Sequence, residues 1–275
     1  MSGNLSEAKI FEKIHPLEFH TRFFSNGIRT DGRTLNQFRA AKLTTGGIGT
    51  TDGSSTIRIG DTTVVCGIRA EVCEPKLSTP NKGFLVPNVK LSSLCSSKYS
   101  AGQPGNFSQV LSQHISDLFN EQVFGLDQLC IEPGKAVWVL YADIVCLNFD
   151  GCVLDAAVIA LTCALLSTQL KAPSFNPDVG SITVDSATGA TSSLAVSQKL
   201  YPSTFCLVQA GEYLLADPTS DEEELADGYV TVVYNDKNQI VNIYKLGSTV
   251  LPQLTMNTIF DLSESRNLET QKIYL

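Results

Sequence analysis

From Lys135 to Asn148 the chain follows one long strand pattern, with Val137, Val139, Tyr141 and Asp143 on one face and Trp138, Leu140, Ala142 and Ile144 on the other. Successive strand side chains point to opposite faces, so a strand largely apolar on both calls for cover on both. A few residues later, Ala156 to Leu166 is the longest apolar run in the chain. It reads as a helix extending to Leu170, with Pro173 ending it. The run is far short of the roughly 18 residues that suggest a membrane span. A central strand followed by an apolar helix makes this an α+β chain.

The flanking segments divide into two lobes. Residues 1–14 form a polar lead-in. Residues 15–172 form the first lobe, opening on a short amphipathic helix (His15 to Phe24) that Asn26-Gly27 ends. Strands are expected between 41 and 72, among them a hairpin of Thr56–Ile59 and Thr62–Ala70 about Gly60-Asp61. Residues 74–105, rich in Pro, Ser, Lys and Gly, read as a long excursion. A helix follows, on the spacing of Val110, Leu111, Ile115, Leu118 and Phe119. Residues 173–200 are linker-like. The second lobe, 201–275, carries four short strands (204–208, 213–216, 228–234 and 240–246) and a helix from Gln253 to Leu268.

Charge narrows the function. The net charge of −8 argues against a protein that coats nucleic acid with its whole surface. The deficit is uneven: residues 1–170 hold 14 basic against 15 acidic side chains, and residues 171–275 hold 6 against 13. Eight cysteines without a CxxC pair or a secretory leader read as buried reduced thiols of a soluble intracellular protein, and three scattered histidines make a zinc site improbable.

Two motifs stay open on the residues alone. Asp217-Pro218-Thr219 followed by Glu222-Glu223-Glu224 suits a capped helix start, and could instead hold Mg²⁺ or supply a general acid. Arg29-Thr30-Asp31-Gly32-Arg33 reads as a turn with flanking cations. Gly46-Gly47-Ile48-Gly49 lacks a phosphate-binding spacing and reads as a turn before a strand.

In their order, Arg29 to Arg33, Leu94-Cys95-Ser96-Ser97, Pro133-Gly134-Lys135, Asp150-Gly151 with Leu154-Asp155-Ala156, and Tyr213 to Thr219 resemble the RNase PH-fold subunits of the exosome ring, in the branch that does not catalyse phosphorolysis. The resemblance spans roughly residues 15–250. It implies an RNase PH-like (ribosomal protein S5 domain 2-like) fold with two βαβα-type lobes. Active members let inorganic phosphate attack the last phosphodiester at an RNA 3′ end, which needs arginines to hold phosphate and carboxylates for metal or proton transfer. Matched to that pattern, the phosphate-holding Ser-Arg positions are Cys152 and Val153 here, and the acid pair is Asp217 and Glu223. The RNA-gripping loop, from Lys98 to Phe107, has one lysine and no arginine.

The resemblance therefore implies an inert structural subunit with no cofactor and no metal. It would support 3′-to-5′ RNA processing by an associated hydrolytic nuclease. Its partners would be other RNase PH-like ring subunits, S1/KH cap subunits and RNA in the channel, with Lys98 and Lys82 as candidate RNA contacts. It would work in nucleus, nucleolus and cytoplasm. The strand Thr62 to Ala70 would lie at a sheet edge and pair across subunits. The rival readings are a phosphate-dependent exoribonuclease using Asp217 and Glu223, and a free-standing RNA-binding module, which the acidic balance disfavours.

Overall fold

A computed structural model describes residues 10–99, 105–171, 173–176, 181–184 and 191–274. Helix α1 (Pro16–Phe24) leads to strands β1 (Ala41–Thr45), β2 (Gly53–Ile59), β3 (Thr62–Cys73) and β4 (Phe84–Lys90), then to α2 (Asn106–Leu118). Strands β5 (Cys130–Glu132) and β6 (Ala136–Asn148) precede the buried helix α3 (Val153–Ser167) and β7 (Gln169–Lys171). After β8 (Pro173–Asn176), β9 (Ser181–Val184) and β10 (Thr191–Ser193) come β11 (Leu200–Val208), β12 (Tyr213–Ala216) and α4 (Ser220–Leu225). Strands β13 (Gly228–Asn235) and β14 (Ile240–Gly247) and helix α5 (Gln253–Gln271) complete the order.

Two sheets enclose α3. The first runs β1-β2-β3-β6-β4, with β5 also on β6, and only β4 lies parallel to its neighbour. The second is the antiparallel order β12-β11-β13-β14. Helix α3 packs on β2, β3 and β11, and every residue from Ala156 to Leu165 is buried. A helix apolar all round belongs between two layers, where each large aliphatic side chain gains about 1.5–3 kcal/mol from burial. One core runs unbroken from Ile57 through Leu161 to Leu200 and Val233.

Several expectations change. The excursion over 74–105 contains a full strand, β4, hidden by Pro87; a proline without an amide proton is tolerated because, among the described residues, β4 has a partner on one side only. The segment Thr62–Ala70 is not at an edge: β3 lies between β2 and β6, and the edges of that sheet are β1 and β4. Strand β6 is covered on both faces only from Ala136 to Leu140, since Tyr141 is 37% exposed. Helix α3 starts at Val153 and ends at Ser167, before Pro173. Thr168 donates its hydroxyl to the Ala164 carbonyl at 2.7 Å, and Leu170 enters β7 instead. Its neighbour Gly53 must lack a side chain there, because a Cβ would lie 2.2 Å from Thr168 Oγ1. The linker-like stretch holds three short strands among its described residues, and β10 pairs with β7.

Candidate functional site: a clamped acidic turn and an apolar cleft

The turn after β12 is held by arginines from the segment that precedes β1. Arg29 is fully buried. It donates Nε to Glu222 Oε1 at 2.8 Å and Nη2 to Glu222 Oε2, while Nη1 and Nη2 reach the carbonyls of Ala216 (2.7 Å) and Asp217 (3.0 Å). Arg39 grips the Asp217 carboxylate with two prongs, Nε to Oδ2 at 2.9 Å and Nη2 to Oδ1 at 2.7 Å, and its own backbone amide adds a third bond at 2.8 Å. Its Nη1 goes to Asp150 Oδ2 at 2.8 Å. Forked guanidinium–carboxylate pairing of this kind is both directional and strong. Glu222 also accepts the Thr219 amide at 2.9 Å, so the capped-helix reading of the acidic run holds.

These contacts fix the charge states. Burial pushes the Asp217 carboxyl up, but the Arg39 hydrogen bonds and charge outweigh it and hold the group below the usual carboxylate range. Asp217 itself sits at φ 52°, a left-handed conformation that the clamp maintains. Both of its oxygens face arginines, and it does not line the neighbouring cleft.

That cleft, of about 360 Å³, opens at the head of α3 and brings together Cys152, Val153, Glu223 and Lys98. A helix N-terminus favours an anion. Here a carboxyl of the chain itself takes that place: Glu223 Oε1 accepts the Cys152 amide at 2.8 Å, where Cys152 caps α3 at φ 49°. Burial pushes the Glu223 carboxyl up to about 7, against the pull of the Cys152 amide, Lys98 and Arg39. Burial also lifts the Cys152 thiol well above its ordinary value, so it is no thiolate nucleophile, and its Sγ points to the Pro218 carbonyl at 3.6 Å. Val153 is 3% exposed and offers only methyl groups. Aromatic rings form the outer wall: Tyr99 stacks on Phe107 with centroids 6.4 Å apart and meets Phe149 edge-on at 5.4 Å.

The two lysines stand apart from each other. Lys98 lines the cleft and pairs with Glu224 at 3.1 Å, whereas Lys82 is outside it and pairs with Glu121 at 2.6 Å. Sequence reasoning missed Arg39, and it quoted Asp150 and Asp155 in the motifs of the resemblance without giving either a role; the buried Asp155 accepts both the amide (2.9 Å) and the hydroxyl (2.6 Å) of Thr204. Nothing local marks Arg39, whose partners are Asp150 and Asp217. Arg29 and Arg33 had a signal in their motif, but its partners lie nearly two hundred residues away.

A helix held between a mixed six-stranded sheet and an antiparallel four-stranded sheet, with an acidic turn at its head, defines an RNase PH-type chain. Residues 37–171 match the 3′ exoribonuclease family, domain 1, and residues 202–266 match domain 2 of the same family. The chain belongs to that family. It is 36% identical to the exosome complex component rrp43 of Schizosaccharomyces pombe, over 94% of each chain. It is 30% identical to the exosome complex component Rrp42 of Methanopyrus kandleri, over 90% of each. Among solved structures it superposes with a TM-score of 0.80 on a chain of an Archaeoglobus fulgidus exosome with RNA bound to the active site, at 25% identity, covering 94% of this chain and 97% of that one.

Proposed function

We propose that this chain is a non-catalytic structural subunit of an exosome RNase PH-like ring and supports 3′-to-5′ RNA processing and degradation by an associated nuclease. One observation carries the inert part of the reading. At the head of α3, where a phosphate-using relative needs a cationic cradle, this chain places Cys152, Val153 and the carboxylate of Glu223. Asp217, the retained acid, is neutralised by Arg39 and turned away. Each lost charged hydrogen bond to a dianion removes about 1.5–3 kcal/mol, so losing several removes useful phosphorolysis. The ring reading draws on the names and full-length similarity of the relatives. On this reading the partners are other RNase PH-like ring subunits, S1/KH cap subunits and a hydrolytic nuclease, in nucleus, nucleolus and cytoplasm. Lys98 and Lys82 would touch RNA weakly, because each shares its ammonium with a carboxylate.

Native mass spectrometry of the tagged chain from its own cells tests assembly, and the expected result is a complex holding several different chains near 30 kDa. A monomer or homo-oligomer would overturn it. Phosphate-dependent release of nucleoside diphosphate from RNA by the purified chain, lost in Asp217→Asn, would overturn inertness.

A further inference from the structure

The cleft at the head of α3 is open and lined in a way that suits something other than phosphate. Its wall is mainly apolar, with Tyr99, Phe107, Phe149, Val153 and Leu246 around a space of about 360 Å³, a size that suits a specific ligand site. At its inner end is a single acidic hook. Glu223 has one oxygen on the Cys152 amide, and among the described residues its other oxygen takes no hydrogen bond. Lys98, the cleft's cation, is paired with Glu224. His114 and a few hydroxyl groups also line the cleft, but a phosphate at its inner end would meet the Glu223 carboxyl and the methyl groups of Val153, whereas a cationic or donating group would find an acceptor.

The mouth adds a second observation. Phe107, Val110 and Leu246 are about half exposed around the opening, at 45%, 45% and 50%. Leu246 belongs to β14, which among the described residues is an unpaired edge of the second sheet, and Ile240 and Ile243 of that strand are also exposed. An apolar rim beside an open strand edge is the anatomy of a protein contact, with backbone groups ready to pair and a pocket for an anchor.

We propose that this cleft receives one bulky apolar side chain, carried next to a basic residue on a polypeptide that packs against this chain. The apolar group fills the space between Tyr99, Phe149 and Val153. The neighbouring cation pairs with the open oxygen of Glu223. The cleft then serves as a socket for a protein neighbour, and RNA does not enter it. The polypeptide source rests on the assembly reading above; the chemistry of the socket does not.

The test uses 2-phenylethylamine as a probe of that chemistry and 2-phenylethyl phosphate as its anionic counterpart, followed by ligand-observed NMR with the isolated full chain. The amine is expected to bind and the phosphate ester to bind at least about tenfold more weakly. Glu223→Gln, which keeps an acceptor for the Cys152 amide, should weaken amine binding about tenfold or more. Val110→Trp, at a rim position 45% exposed, should abolish it by closing the mouth, with an unchanged melting temperature showing that the fold is kept. Preference for the phosphate ester, or indifference to both substitutions, would overturn the socket. In the assembled complex the amine should fail to bind, because the socket is filled. A photo-crosslinker at position 110 should then capture an apolar side chain within two residues of a lysine or arginine. Capture of RNA, or undiminished amine binding in the complex, would overturn the polypeptide source. If native mass spectrometry finds no complex, the assembly reading fails alone, and the isolated-chain result still judges the socket.

Discussion

Arg29 and Glu222 are both completely buried, and each is the other's charge partner. Removing two ions from water is costly, and the pair is tolerable because Arg29 also reaches two carbonyls and Glu222 takes an amide. Arg29→Ala is therefore expected to destabilise the fold by about 3–5 kcal/mol, mostly through the stranded carboxylate. The double variant Arg29→Met/Glu222→Met should recover most of that loss. Chemical denaturation of the three proteins measures it, and equal stability of the double and the single variant would contradict the account. The motif around Arg29 was visible in the sequence. Its role was not, because a guanidinium's partner cannot be read from its own neighbours.

The turn between β6 and α3 is a tight joint between elements. Gly151 has φ +77°, and a Cβ there would lie 2.3 Å from the Pro218 carbonyl oxygen. Gly32, in the arginine motif, has φ +85° with open space around the missing Cβ. Both substitutions to alanine incur left-handed strain of about 1–2 kcal/mol, but only Gly151→Ala adds a backbone collision. Gly151→Ala should thus lower the melting temperature clearly more than Gly32→Ala, and a calorimetric ranking in the reverse order would refute the packing argument. At this scale the sequence was most legible. Helices α1, α2 and α5, the hairpin of β2 and β3, and the four strands of the second sheet follow from apolar spacing and turn residues. Strand β4 did not, since Pro87 and its polar surroundings carry a loop's composition, and only the parallel alignment with β6 makes it a strand. The end of α3 was misplaced for a similar reason: Thr168 leaves the helix to pack on Gly53, a contact across 115 residues of chain.

Across the whole molecule, two buried acids at the joint of the sheets set the response to pH. Burial raises Asp155 to about 7, against the pull of its Thr204 bonds, and raises Glu223 to about 7 as well. Unfolded, both would titrate near 4. Between about pH 4 and about pH 7 the folded chain thus holds more protons than the unfolded one, and stability from these groups falls as pH rises through that window. Asp217 acts oppositely, because its folded value is lowered: its contribution is present above the ordinary carboxylate range and is lost as pH falls through the folded value. Thermal melts from pH 5 to pH 8 should show a decline that Glu223→Gln makes shallower. An unchanged slope in that variant would exclude Glu223 from the effect.

What the sequence determined by itself is the layered α+β architecture and the family, because long apolar periods and ordered motifs are local and survive any arrangement of distant parts. Matched to the family's pattern, it also put a thiol and an isopropyl group, Cys152 and Val153, at the positions where active members hold phosphate. The tertiary structure decided the rest: that Asp217 is clamped by Arg39, that the carboxylate of Glu223 takes the anion position at the head of α3, and that an apolar cleft survives beside it. The clamp joins residues 178 apart in the chain, and 193 apart for Arg29 and Glu222. The charge and direction of a buried carboxyl depend on which groups the fold brings within about 3 Å, and no local pattern encodes that distance.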